Sequence, residues 1–163
     1  MSFCSDVKDE ITGVYPERKC CKKALLNGAF AFFNTVGKDK IKMNTESESV
    51  AKYIAELVGE LFPEISVKDI KKKGNKKEFT VEITDEKDIE KMSETLGLIN
   101  RKTGQISGVI DGNLSVNSCC QRATVKGAFL AAGSVTDPNS NYHFEISCHR
   151  KTPVNDLKEI LLS

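Results

Sequence analysis

A near-repeat constrains this chain more than any other feature: KCCKKALLNGAFAFFNTV, ending at Val36, returns as SCCQRATVKGAFLAAGSV, ending at Val135. Set in register without a gap, Cys20, Cys21, Ala24, Gly28, Ala29, Phe30 and Val36 fall on Cys119, Cys120, Ala123, Gly127, Ala128, Phe129 and Val135. A duplicated stretch folds twice, so it asks for two like units and for a surface on each that fits its twin. Both copies are helical by pattern. One face of the first holds Cys21, Ala24, Leu25, Gly28, Ala29 and Phe32, and the same face of the second holds Cys120, Ala123, Thr124, Gly127, Ala128 and Ala131. Small side chains let two helix axes come close, which predicts a seam built on Gly28-Ala29 and Gly127-Ala128. The other faces, with Leu26, Phe30 and Phe33 or Val125, Phe129 and Ala132, suit helices lying on a sheet.

The segment after each helix is duplicated as well. KDKIKMN alternates Ile41 and Met43 with Lys40 and Lys42, as a half-buried strand does, and a helix from about Glu46 to Phe62 comes next with Val50, Ile54, Leu57, Val58 and Leu61 on one stripe. Thr45 and Glu48 have capping-box spacing, and Pro63 lies just past the helix end. In the second copy SNYHFEISC alternates through Phe144, Ile146 and Cys148, and Thr152-Pro153 opens a helix carrying Leu157, Ile160 and Leu161. The first copy continues with ISVKDI and EFTVEIT as a hairpin about Gly74-Asn75, then a helix from Asp85 to Leu96 closed by Gly97. MSFCSDVKDEITG reads as a short amphipathic helix stopped by Gly13. The expected organisation is an α/β chain of αββαββα-type units: an N-terminal arm over 1–18, a first unit over 19–98, a linker over 99–117 that includes NRKTGQISG, and a second unit over 118–163. That second unit is truncated, so it should leave a sheet edge uncovered.

Composition narrows the function classes. The 163 residues contain no apolar run near the roughly 20 needed to span a bilayer, which predicts no membrane contact. With no leader visible, the six cysteines read as reduced thiols in a cytoplasm. A net charge of +1 conceals an uneven distribution, because SVKDIKKKGNKK sets six lysines against Asp69 while VEITDEKDIEKMSE is mostly acidic. A lysine run is either a solvated turn or a phosphate contact. The two Cys-Cys pairs raise a four-thiolate zinc site, but adjacent helical residues point about 100° apart, and paired zinc ligands are usually two to four residues apart. The plainer expectation makes Cys21 and Cys120 small apolar residues of the seam, with Cys20 and Cys119 packed at the helix starts. His143 and His149 read as surface residues. No nucleophile with a base, phosphate-cradling glycine loop or catalytic carboxylate pair can be placed, so neither an enzyme nor a cofactor is expected.

LLNGAFAFFN and VKGAFLAAGS resemble the signature helix of LAGLIDADG homing endonucleases. The run CC…GAFLAAGSVTDP…YHFEI resembles the WhiA family of bacterial regulators of sporulation and cell division. The resemblance extends from Met1 to Ser163 and is stronger in the second copy. It implies a degenerate LAGLIDADG-like domain in a DNA-binding transcription regulator, whose C-terminal helix-turn-helix domain is matched by nothing up to Ser163. In the endonucleases an acid near the end of each signature helix holds a divalent metal on the scissile phosphate. Phe33 and Ala132 stand at those positions, and neither side chain offers an oxygen ligand. The nearest acids are Asp39 and Asp137, past the helices.

The resemblance also implies that the strands form a saddle for duplex DNA. Strand parity puts Lys40 and Lys42 opposite Ile41 and Met43, Lys38 joins them, and Lys71, Lys72, Lys73, Lys76 and Lys77 flank a hairpin tip within reach of phosphates. Glu78 and Glu82 share the exposed face of the next strand and oppose strong binding. The expected partner is therefore double-stranded DNA, bound together with the C-terminal domain on the nucleoid, with protein partners of transcription or cell division. The alternative is a protein-interaction scaffold whose DNA contact is made by the C-terminal domain.

Overall fold

Helix periodicity and capping chemistry account for most of the architecture. A computed structural model describes residues 3–67, 78–137, 139, 143–148 and 150–162. The elements are α1 (Phe3–Thr12), α2 (Lys19–Ala31), β1 (Thr35–Val36), β2 (Ile41–Thr45), α3 (Glu48–Leu61), β3 (Phe79–Ile83) and α4 (Glu86–Leu96). A 3-10 turn (Gly112–Ser115), α5 (Ser118–Ala132), β4 (Gly133–Val135), β5 (Phe144–Ile146) and α6 (Lys151–Leu162) complete the chain. It is a mixed α/β fold in which α2, β1, β2 and α3 are echoed by α5, β4, β5 and α6.

In the first unit β2 pairs antiparallel with both β1 and β3, with Ile41 opposite Ile83 and Met43 opposite Val81. Those four side chains are buried under α2, α3 and α4, among Leu26, Phe30, Ile54, Leu57, Ile89 and Met92. Alternation along β2 and β3 therefore divides the sheet into an apolar inner face and a polar outer one. Helix α3 starts later than capping-box spacing predicts. Ser47 is the N-cap, its hydroxyl accepting from the Val50 N–H at 3.2 Å, while the Thr45 hydroxyl accepts from the Ser47 N–H at 3.1 Å. Two hydroxyls in succession satisfy the entering backbone, and the inner one wins the cap. Helix α4 ends as expected, with Gly97 closing it at φ 66°, and Asp85 proves to be its N-cap. The expected hairpin about Gly74-Asn75 lies outside the described residues, and Ile65–Val67, which begin its first strand, are irregular.

The segment expected to be a linker is folded onto the body. Ile99 and Ile106 form a β-bridge, Val109 and Ile110 are buried, and Asp111 packs against Gly97. In the second unit β4 and β5 pair antiparallel, but Phe144 does not enter the core as alternation suggests. It is 49% exposed and stacks on Phe129 with ring centroids 5.5 Å apart. Helix α6 buries Pro153 and Leu157, with Ile160 packed beside them, whereas Leu161 turns to solvent. Helix α1 docks on α3, and Tyr15, in the segment after α1, meets Tyr53 of α3 with ring centroids 4.7 Å apart. The Tyr53 hydroxyl donates to the Val14 carbonyl at 2.8 Å, and burial pushes its pKa up to about 12. No helix among the described residues is long and apolar enough to cross a membrane.

Candidate nucleic-acid interface

The paired helices α2 and α5 join the two units. Their approach is close enough to exclude any side chain at two points. A Cβ built on Gly28 would lie 2.1 Å from the Thr124 carbonyl oxygen, and one on Gly127 would lie 2.0 Å from that of Leu25. Leu25 and Thr124 are equivalent residues of the two copies, as are Gly28 and Gly127, so the two collisions are mirror halves of one arrangement. Backbone meets backbone there, which is where glycine is required. Ala29 and Ala128 are fully buried beside them.

At the C-terminal end of this seam, Phe33 is buried with its ring 4.3 Å from Phe30, and Ala132 is half-buried. The Arg150 guanidinium reaches back from the start of α6 and donates to the carbonyls of Ala31 and Phe33. A cation at a helix C-terminus complements the partial negative charge of its last carbonyls. This end of the seam thus carries a fixed positive group and an aromatic ring where a hard divalent ion would need carboxylate oxygens, and its residues do not fit such an ion. Asp39 and Asp137 are both exposed, in the turns beyond the helices.

On the outer face of the first sheet, Lys42 is half-buried and lies opposite Glu82 on one side and Thr35 on the other. Lys40 is bridged to Glu82 at 3.5 Å, its side chain still 47% exposed, and Lys38 is exposed in the turn before β2. The outer face of β2 and the turn before it carry these three lysines, with one acid, Glu82, among them. Lys71, Lys72, Lys73, Lys76 and Lys77 lie outside the described residues. The second unit places His143, in contact with Glu145 at 2.9 Å, at its own strand edge.

Two residues matter that periodicity passes over. Asn27 is fully buried and uses its whole amide: Nδ2 donates to the carbonyls of Leu96 at 2.6 Å and Val109 at 3.1 Å, and Oδ1 accepts from the Asp111 N–H at 3.0 Å. One amide thereby fastens α2 to the end of α4 and to the segment that leads into the second unit. The signal was a lone polar side chain inside the apolar run ALLNGAFAFF. Arg150 had none, since its role depends on contacts more than a hundred residues away in the chain.

The N-terminal end of the seam departs from expectation. The sulfurs of Cys20, Cys21 and Cys120 lie within 4.8 Å of one another, and Cys20 is exposed rather than packed. Adjacent Cα–Cβ vectors diverge on a helix, but rotation about χ1 carries each sulfur toward its neighbour. Burial pushes Cys120 up to about 12 and raises Cys21, whereas a hydrogen bond from Cys21 lowers Cys119.

Known proteins place this geometry. The family described as "WhiA LAGLIDADG-like domain" matches residues 121–163. A protein named probable cell division protein WhiA from Thermoanaerobacter sp. (strain X514) is 31% identical over 173 residues, covering 100% of this chain and 54% of that protein. The like-named protein of Desulforamulus reducens is also 31% identical, covering 99% of the chain and 52% of its own length. The chain thus spans about half the length of the curated relatives it matches. Among solved structures, the N-terminal LAGLIDADG domain of DUF199/WhiA superposes with a TM-score of 0.71 at 18% identity, over 98% of this chain and 73% of that one. Full-length DUF199/WhiA from Thermatoga maritima gives 0.69 at 17% identity, over 99% of this chain and 50% of that one. At such identities the likeness is one of fold.

Proposed function

We propose, on the premise that this chain belongs to the WhiA family through its LAGLIDADG-like fold, that it is the non-cutting DNA-contact domain of a cell-division regulator. The observation that carries the reading is the C-terminal end of the helix seam. Phe33, Ala132 and the Arg150 guanidinium stand where hydrolysis would need acids, so what the fold keeps is a shape for duplex DNA without the means to break it. Lys38, Lys40 and Lys42 supply phosphate contacts along the outer sheet face, and the lysine-rich run from Lys71 to Lys77, which lies outside the described residues, adds further positive charge. Contacts of this kind hold the protein on DNA without reading bases. Its place of action is then the nucleoid, in the control of transcription in sporulation or division.

A second reading, a protein-interaction scaffold, is favoured by one observation: Glu82 already neutralises part of the lysine face. Titrating the chain with duplex DNA over a range of salt separates the two. On the DNA-contact reading log affinity falls with log salt at roughly 0.9 per phosphate neutralised. Lys40→Gln with Lys42→Gln should then lower the slope by up to about two, equally on all sequences. Plasmid incubated with magnesium or manganese should stay supercoiled throughout. Affinity and slope indifferent to the two substitutions would favour the scaffold, and metal-dependent nicking lost on Asp39→Asn or Asp137→Asn would overturn the non-cutting assignment.

A further inference from the structure

Helices α2 and α5 both begin with a cysteine pair in their first turn, and the seam brings the two pairs together. The sulfurs of Cys20, Cys21 and Cys120 lie within 4.8 Å of one another, and Cys119 hydrogen-bonds to Cys21 and Cys120, which brings the four thiols together across the pseudo-twofold. All four are free. Weak S–H donors gain little from one another, and three of the four thiols are buried or half-buried. We propose that Cys20, Cys21, Cys119 and Cys120 form a site for a thiophilic d10 ion, with zinc as the natural occupant.

Geometry and charge both suit that ion. Tetrahedral zinc with Zn–S near 2.3 Å sets its sulfurs about 3.8 Å apart. Three of the four sulfurs here, those of Cys20, Cys21 and Cys120, already sit within 4.8 Å of one another, close to that spacing. Four thiolates around Zn2+ leave two negative charges, and basic residues are close by: Arg18 acts on Cys119, and Lys19, Lys23 and Arg122 lie within a turn of the ligands in sequence. The N-termini of two helices add their partial positive charge from both sides. Each thiol that ligates gives its proton to solvent, so uptake of one ion releases up to four protons. Cys20 is exposed and leaves a way in. A bound ion would clip the two units together at the end of the seam opposite Arg150, whether or not the sheet touches DNA.

The test is to titrate the fully reduced chain anaerobically with cobalt(II). The expected result is one ion per chain, with thiolate charge-transfer and the visible bands of tetrahedral cobalt, bleached by one equivalent of zinc, and proton release in step. Cys4→Ser with Cys148→Ser should leave the spectrum intact, and Cys20→Ser with Cys119→Ser, the mildest pair of ligand changes, should remove it. X-ray absorption of the zinc-loaded unsubstituted chain needs no variant, and should show a shell of sulfur near 2.3 Å. A shell of nitrogen and oxygen only would overturn the site. So would failure of the reduced chain to take up one equivalent, or cobalt bands that survive in the Cys20/Cys119 variant.

Discussion

Asn27 shows how one side chain can join distant parts of a chain. It sits in the middle of α2 with no solvent exposure, and three hydrogen bonds tie it to Leu96, Val109 and Asp111. Leucine has a similar size but satisfies none of these groups. Each buried polar group left without a partner costs about 1–3 kcal/mol, so Asn27→Leu should destabilise the fold by at least one such penalty in spite of its greater hydrophobicity. A urea titration should show a lower midpoint at unchanged slope, the signature of lost stability rather than of an altered unfolded state. A midpoint equal to that of the parent would mean that the amide does not fasten the helix to the segment leading to α5.

At the scale of elements, the glycines of the helices separate into two kinds by what surrounds them. Gly28 and Gly127 face carbonyl oxygens across the seam at distances no Cβ can tolerate, while Gly59, on the exposed side of α3, has nothing within 4 Å. Alanine is the better helix former by about 1 kcal/mol, so Gly59→Ala should raise stability by roughly that amount. The same substitution at Gly28 or Gly127 must push two helix backbones apart, and overpacking typically costs about 1–3 kcal/mol or more. Melting curves of the three variants should therefore shift in opposite directions, and a raised Tm for Gly127→Ala would contradict the close approach. The same contrast explains why the seam was legible and other features were not. A stripe of Gly and Ala repeated in two copies is a local pattern with one good use, as is the Gly97 that closes α4. The cap of α3 depended on which of two adjacent hydroxyls would reach the N–H groups, a matter of angles. The outward turn of Phe144, the Arg150 contacts and the cluster of sulfurs depend on where the second unit lands on the first, which no window of sequence contains.

The whole molecule is lopsided. One core runs from α2 and α5 through α3 and α4 to the inner face of β2 and β3. The second, around Ala31, Phe32, Ile110, Ala128 and Leu157, is small and lies under α6. Cys120, Ala123 and Leu130 of α5 belong to the larger core although their helix opens the second unit, so the seam makes α5 part of the first unit's stability. The two-stranded sheet of β4 and β5 has neither the extent nor the burial to stand alone, because an isolated pair of strands is marginal in water. Local opening tracks buried contacts, and elements with few of them exchange their amide hydrogens by small fluctuations rather than by global unfolding. Hydrogen exchange should accordingly split the second unit. The amides of α5 should be protected to the same limit as those of α2 and α3, whereas α6, β4 and β5 should exchange well before them. If α5 exchanged together with α6 instead, the division of stability would follow the duplication rather than the core, and the reciprocal glycine seam would not be what holds the halves together.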